Sequence, residues 1–189
     1  GALLEVQPTP AVVAGVAGGV AGAAAGADFS LAVSAGRDGA ARGVLYAWGW
    51  SEHGQLGLND DGCYNTSASS VKLTFTAERA PRRVNLPKGG GGGDAAARVV
   101  AYVSAGAHHA AALCEDGELY TWGDGSYGKL GHKEQRNRLA PTPVANFRAR
   151  HVQCGGGTTC ALGWPVRAGA GSGPPGAPPA VDAAVAGPA

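Results

Sequence analysis

The string Trp48-Gly49-Trp50-Ser51-Glu52-His53-Gly54-Gln55-Leu56-Gly57 returns downstream as Trp122-Gly123-Asp124-Gly125-Ser126-Tyr127-Gly128-Lys129-Leu130-Gly131. Tryptophan, three glycines and leucine keep their offsets. Each copy follows a short strand-like run with a tyrosine two residues before the tryptophan, in Val44-Leu45-Tyr46-Ala47 and Glu118-Leu119-Tyr120-Thr121. A repeat containing so rare a residue constrains the fold more than composition does, because each copy must form the same supersecondary unit.

The register continues on both sides. Ala105-Gly106-Ala107-His108-His109-Ala110-Ala111-Ala112-Leu113 stands upstream of the second copy, and Ala25-Gly26-Ala27-Asp28-Phe29-Ser30-Leu31-Ala32-Val33 upstream of the first. A third opening appears at Cys154-Gly155-Gly156-Gly157-Thr158-Thr159-Cys160-Ala161-Leu162. Downstream, Ala80-Pro81-Arg82-Arg83-Val84 matches Ala140-Pro141-Thr142-Pro143-Val144, and Pro10 and Val13 keep the same spacing. Gly26, Gly106 and Gly155 are then equivalent points. The excess length of the first repeat falls near residues 37–43, 58–80 and 88–98, between strands, where loops absorb insertions cheaply.

These repeats divide the chain into 1–23 (the end of a preceding repeat and an entry strand), 24–104 (a first repeat with insertions), 105–153 (a second repeat) and 154–163 (the start of a third). A tail, 164–189, rich in Gly, Pro and Ala, is expected to be disordered and leaves Trp164 without a strand. Within the second repeat, Val99 to Ser104, Ala110 to Cys114 and Glu118 to Trp122 read as strands. Asp116-Gly117 supplies the positive backbone dihedrals of a tight hairpin. Alternation sends Leu119 and Thr121 to one face of their strand, Tyr120 and Trp122 to the other. Gly123 to Gly131 reads as a turn-rich excursion with Leu130 tucked beneath the sheet. The first repeat replaces the tight hairpin with the loop Gly36 to Gly43, and Gly89 to Gly93 reads as a loose exposed loop.

A formal charge of +1 gives no bulk attraction to nucleic acid or anionic membrane. The absence of Met and the start at Gly1 suggest a fragment or an incomplete gene model. Cys63, Cys114, Cys154 and Cys160 form no disulfide or zinc framework and read as small thiols in a reducing compartment, cytoplasmic or nuclear. The uncharged run Ala11 to Ala27 is too glycine-rich for a membrane span and lacks a basic segment before it. Asn65-Thr66-Ser67 fits a glycosylation sequon, which means little without a secretory signal.

Together these residues resemble the regulator of chromosome condensation repeat family. The second repeat carries almost the whole pattern: Gly106, His109, Ala112, Leu113, Asp116, Gly117, Tyr120, Trp122, Gly123, Gly128, Leu130, Gly131, Pro141 and Val144. The first has Phe29 in the histidine position, and the third has Thr158 there. The resemblance covers about residues 8 to 163. It implies an all-β fold, a partial β-propeller of two complete four-stranded blades and an incomplete third. Such a set cannot close a ring, which implies a longer propeller or assembly with other copies.

The residues suggest no enzyme. His108 and His109 are adjacent in a strand and point to opposite faces, so they are poorly placed to share one ligand. His53 and His132, in glycine-rich turns, read as solvated. No triad, paired carboxylates or phosphate loop appears, and no cofactor or metal is expected. Trp48, Gly49, Gly57, Gly106, His109, Asp116, Gly117, Trp122, Gly123 and Gly131 read as structural. In a plant ultraviolet-B photoreceptor similar to this family, light-absorbing tryptophans follow the opening glycine; here Ala27, Ala107 and Gly156 stand there.

Binding is expected at Trp50, His53, Arg82, Arg83, Tyr127 and Lys129, with the 58–80 insertion as a further contact. The basic residues Arg79, Arg82, Arg83 and Lys88 recur as Lys129, Lys133, Arg136 and Arg138. Their default reading is a solvated surface; the functional one is an acidic partner, chromatin included. A protein-interaction module is the primary reading. The resemblance also permits nucleotide exchange on a small GTPase, or substrate recruitment within a larger ubiquitin ligase.

Overall fold

The computed structural model describes residues 11–61, 63–65, 73–75, 77–87 and 98–166. The first sheet contains β1 (Val20–Ala25), β2 (Phe29–Ala35), β3 (Arg42–Gly49) and β6 (Glu78–Val84), in the order β1-β2-β3-β6. Between β3 and β6, β4 (Cys63–Asn65) and β5 (Leu73–Phe75) pair antiparallel within the long insertion. The second sheet contains β7 (Val100–Ala105), β8 (His109–Cys114), β9 (Leu119–Gly123) and β10 (Arg138–Pro143), in the order β7-β8-β9-β10. The third has β11 (Phe147–Cys154) and β12 (Thr159–Pro165), paired antiparallel. This is a partial β-propeller of two four-stranded blades and part of a third.

The sheets are out of phase with the repeat counted from Gly26. Each begins with the strand before the opening glycine, so β1 starts at Val20, at the end of the 1–23 segment expected to hold the close of a preceding repeat and an entry strand. One expectation needs correction. Ordered strand continues past Gly163: Trp164 lies in β12 opposite Arg148, so the tail does not begin there. The uncharged Ala11 to Ala27 run contains β1, and among the described residues no helix is long and apolar enough to cross a membrane. Gly89 to Gly93, the sequon's Thr66 and Ser67, and residues 167–189 lie outside the described residues.

Period-two alternation decides which core each residue enters. All six residues of β8 are buried. Ala110 and Ala112 join Tyr120, Trp122, Leu45, Ala47 and Leu56 in the core between the first and second blades. Ala111, Leu113 and Leu119 join Ala149, Val152 and Cys154 in the core between the second and third. The alanines of β8 are small because their cross-strand neighbours are large: Ala110 pairs with Trp122 and Ala112 with Tyr120. Pro81 and Pro141 sit in β6 and β10, the outer strand of each sheet. A residue without an N–H is tolerated there because one side of the strand needs no ladder bond.

The Asp116-Gly117 hairpin forms as its sequence dictates. Gly117 takes φ +81, Cys114 N–H donates to the Glu118 carbonyl, and Asp116 Oδ1 accepts the Glu118 N–H at 3.0 Å. Cys114, Cys154 and Cys160 are free thiols. Burial pushes the Cys114 thiol up to about 12, so it stays protonated and inert.

Candidate functional site

Each opening glycine forms the same close turn. Gly26 N–H donates to the Phe29 carbonyl, Gly106 to His109 and Gly155 to Thr158, at 2.8–2.9 Å. In the first two the following ring lies on the glycine. A Cβ on Gly26 would stand 2.0 Å from the Phe29 ring, and one on Gly106 2.1 Å from the His109 ring. The turns are also linked from blade to blade: Ala27 N–H donates to the Ala107 carbonyl, and Ala107 N–H to that of Gly156. Ala25 to Ala27, Ala105 to Ala107 and Cys154 to Gly156 thus line an open trough of about 330 Å³. It is floored by small residues, with nothing in it to orient a ligand.

The Trp-Gly loops rise beside these turns. Trp50 N–H donates to the Asp28 carbonyl and Asp124 N–H to the His108 carbonyl, at 2.8 and 2.9 Å. Gly49 and Gly123 leave the strands at φ +110 and +97, where a Cβ would approach those carbonyl oxygens to 2.4 and 2.5 Å. The loops therefore lie on one face of the molecule, fixed to the blade by backbone.

This face gathers three of the residues expected to bind. Trp50 is half-buried, and its indole N–H points to Glu52 Oε2 at 3.4 Å. His53 is half-buried, not freely solvated, with its ring edge-on to His108 at 5.1 Å between centroids. Tyr127 is 90 % exposed, at φ 62 in a 3-10 turn over Ser126–Gly128. The carboxylate of Asp124 holds that turn by accepting Ser126 N–H and Oγ–H. Its pKa is held well below the usual carboxylate range: burial alone would raise it, but bonds from Lys129 and Ser126 outweigh that.

Lys129, Arg82 and Arg83 do not join this cluster. The Lys129 side chain is only 6 % exposed and is bonded to Asp124, which makes it an internal tether of the loop. Arg82 and Arg83 lie opposite Ala47 and Tyr46 on the outer strand β6, and Arg82 pairs with Glu78 at 2.6 Å. Arg138 pairs with Glu134. Arg82 and Arg138 thus each have an acidic partner within the chain, and Arg83 is exposed on the same strand as Arg82.

Sequence reasoning read Trp122 as structural but missed its bond to the neighbouring blade, and it missed Glu118 altogether. Trp122 is fully buried, and its indole N–H donates to the Gln55 carbonyl of the neighbouring blade at 2.9 Å. Glu118, almost wholly buried, accepts Tyr120 O–H at 2.7 Å, meets Arg98 at 2.9 Å and faces Arg148 at 3.9 Å. An acidic residue opening an apolar strand, with arginines beyond both strand ends, was the available signal. His132 is likewise not solvated: its Nε2 lies 3.0 Å from Thr121 Oγ1.

His109 is fully buried with Nε2 2.9 Å from Thr159 Oγ1 of the third blade. Burial, aided by the Lys129 charge, holds its pKa below the ordinary value. The unfolded chain therefore takes up a proton that the folded blade refuses. The stability due to the neutral ring is complete above about pH 6.5 and is lost progressively as pH falls below that value toward the ring's lowered pKa in the folded blade. His132 shifts in the same direction, also through burial. His109→Phe copies Phe29 of the first repeat and removes one titrating group. Its thermal midpoint should fall less than that of the parent between about pH 7.5 and 5.5. Parallel curves would rule out His109 as a source of acid sensitivity.

A protein-family model described as "Regulator of chromosome condensation (RCC1) repeat" matches residues 42–113 and 116–162. A zebrafish (Danio rerio) relative, "Protein RCC2 homolog", is 34% identical over 138 residues, covering 68% of this chain and 26% of its own length. The human "E3 ubiquitin-protein ligase HERC2" is 32% identical over 121 residues, 62% of this chain and 2% of that protein. The chain thus spans a small part of the curated relatives it matches. Among solved structures, Prp20p from Saccharomyces cerevisiae superposes with a TM-score of 0.58 at 21% identity, over 83% of this chain and 33% of that one. That structure was described together with binding to Gsp1p and histones.

Proposed function

Because this chain belongs to the regulator of chromosome condensation repeat family, we propose that it acts as a non-enzymatic protein-interaction module. The contact face carries Trp50, His53, His108 and Tyr127. One observation carries the reading: Tyr127 is held out in solvent on a backbone anchored by Asp124, with no buried role of its own. An aromatic ring on a rigid support loses little entropy when covered, which is why such residues concentrate binding energy. A scaffold of repeated sheets with variable loops suits recognition, and the loops at 50–57 and 124–131 differ at the positions that face outward.

Proximity labelling in cells with the parent chain and with Tyr127→Ala and Trp50→Ala tests this. The variants should lose a defined subset of labelled proteins, with affinity for any one of them weakened roughly thirtyfold. Arg82→Ala should keep that subset. Identical labelling by all of them would overturn the assignment of the face. Exchange activity is the competing reading, supported by the likeness to Prp20p. It would show as accelerated nucleotide release from a small GTPase, which is not the expected result.

A further inference from the structure

Of the two adjacent histidines, His109 turns inward to Thr159 of the third blade, and His108 meets a histidine of the first repeat. His108 lies in the turn between β7 and β8, and His53 in the Trp-Gly loop that follows β3. The two segments come together over Gly123. A Cβ added there would stand 2.5 Å from the His108 carbonyl oxygen and 3.3 Å from the Gln55 Cα. The two rings lie 5.1 Å apart between centroids, with their planes crossed at 66°.

Both rings stand on fixed backbone. His53 N–H donates to Oε1 of the fully buried Gln55 at 2.8 Å, and Gly54 N–H closes the turn on the Ser51 carbonyl, also at 2.8 Å. Asp124 N–H holds the His108 carbonyl at 2.9 Å. The side chains themselves are half-buried, and among the described residues no hydrogen bond or ion pair engages either ring. A neutral imidazole carries one nitrogen lone pair, and two such rings brought together form a donor set for a borderline-soft divalent ion.

We propose that His53 and His108 bind one zinc ion between the first and second blades. Two imidazoles on a tetrahedral zinc, each bonded at about 2.0–2.1 Å, place their ring centroids about 5 Å apart. The observed separation matches this. The last torsion of a histidine is broad, so both ring edges reach the ion without movement of the backbone. No group of three or more His, Cys, Asp or Glu side chains converges among the described residues. The chain therefore supplies two ligands, and water or a side chain of a bound protein completes the tetrahedron. Nitrogen donors select zinc over magnesium and calcium, which take oxygen. The ion ties the Trp-Gly loop of one blade to the opening turn of the next. This site rests on the ring geometry and is independent of contacts made by Tyr127.

Zinc chloride titrated into the full chain by calorimetry tests it. One saturable site per chain is expected, and magnesium chloride should give none. His53→Gln and His108→Gln should each weaken binding about a hundredfold, because either change turns a two-point attachment into a one-point one. His151→Gln removes an exposed histidine that lies against Tyr102, and Cys160→Ser removes an exposed thiol; both should keep the parent affinity. Tyr127→Ala should also bind zinc as the parent does, so loss of the protein contact leaves this result standing. Long-range proton–nitrogen spectra give a second readout: the ring nitrogens of His53 and His108 should shift together and stop shifting at one equivalent. Circular dichroism checks that every variant keeps the parent fold. The proposal falls if the parent shows no saturable zinc binding, or if either His53→Gln or His108→Gln binds as tightly as the parent. Equal weakening by His151→Gln sinks it as well.

Discussion

Trp122→Ala is expected to destabilise the chain by about 3–5 kcal/mol, whereas Trp48→Ala should cost only about 1–2 kcal/mol. The two residues occupy the same position of the repeat, so propensity and local sequence predict equal effects. The difference lies in what covers them. Trp122 is 0 % exposed between two blades, on Gly57 and against the buried Pro141, and its indole N–H satisfies the Gln55 carbonyl. Truncation opens a cavity in a close-packed core and orphans a buried acceptor, and the surrounding sheets are too constrained to collapse into the space. Trp48 is half-buried, and Tyr46 beside it likewise, so less apolar area returns to water. Urea unfolding followed by tyrosine and tryptophan fluorescence gives both values. Equal losses would mean that the interface between the first two blades contributes nothing beyond each sheet's own stability.

That contrast also shows where a sequence stops being informative. The strands β7, β8 and β9 and the Asp116-Gly117 turn follow from alternation and local turn chemistry, which act over a few residues. The blade follows from the repeat. Burial does not: whether a repeated tryptophan is sealed or half-open depends on a neighbour that the local pattern does not encode. Lys129 reads as a surface cation because its partner, Asp124, replaces the tryptophan of the first repeat, and only the folded loop brings the two together. His132 reads as solvated until the loop folds it back onto Thr121. Trp164 reads as a tail residue because the repeat pattern has ended. Its strand is imposed by pairing with Arg148 on β11, a contact no local signal announces. Of the residues expected to bind, Trp50, His53 and Tyr127 lie in the Trp-Gly loops, whereas Arg82 and Arg83 lie in β6.

Gly123→Ala should be nearly as damaging as loss of the indole beside it, about 3 kcal/mol, although it adds only one carbon. Two costs combine. The residue leaves β9 at φ +97, a conformation costing an L side chain on the order of 1–2 kcal/mol. The new Cβ would also stand 2.5 Å from the His108 carbonyl oxygen and 2.8 Å from the His109 Cα, atoms of a backbone that cannot swing aside. Relief requires shifting the start of β8, which breaks the Asp124 N–H bond to that same carbonyl and disturbs His109 against Thr159. Overpacking of this kind costs roughly 1–3 kcal/mol. Gly156→Ala is the matched control: no atom lies within 4 Å of its added Cβ and its φ is not positive, so stability should hold or rise slightly. Denaturant midpoints of the two variants decide the matter. If Gly123→Ala unfolds where Gly156→Ala does, the close approach of the Trp-Gly strand to the neighbouring turn is not what holds the blade in register.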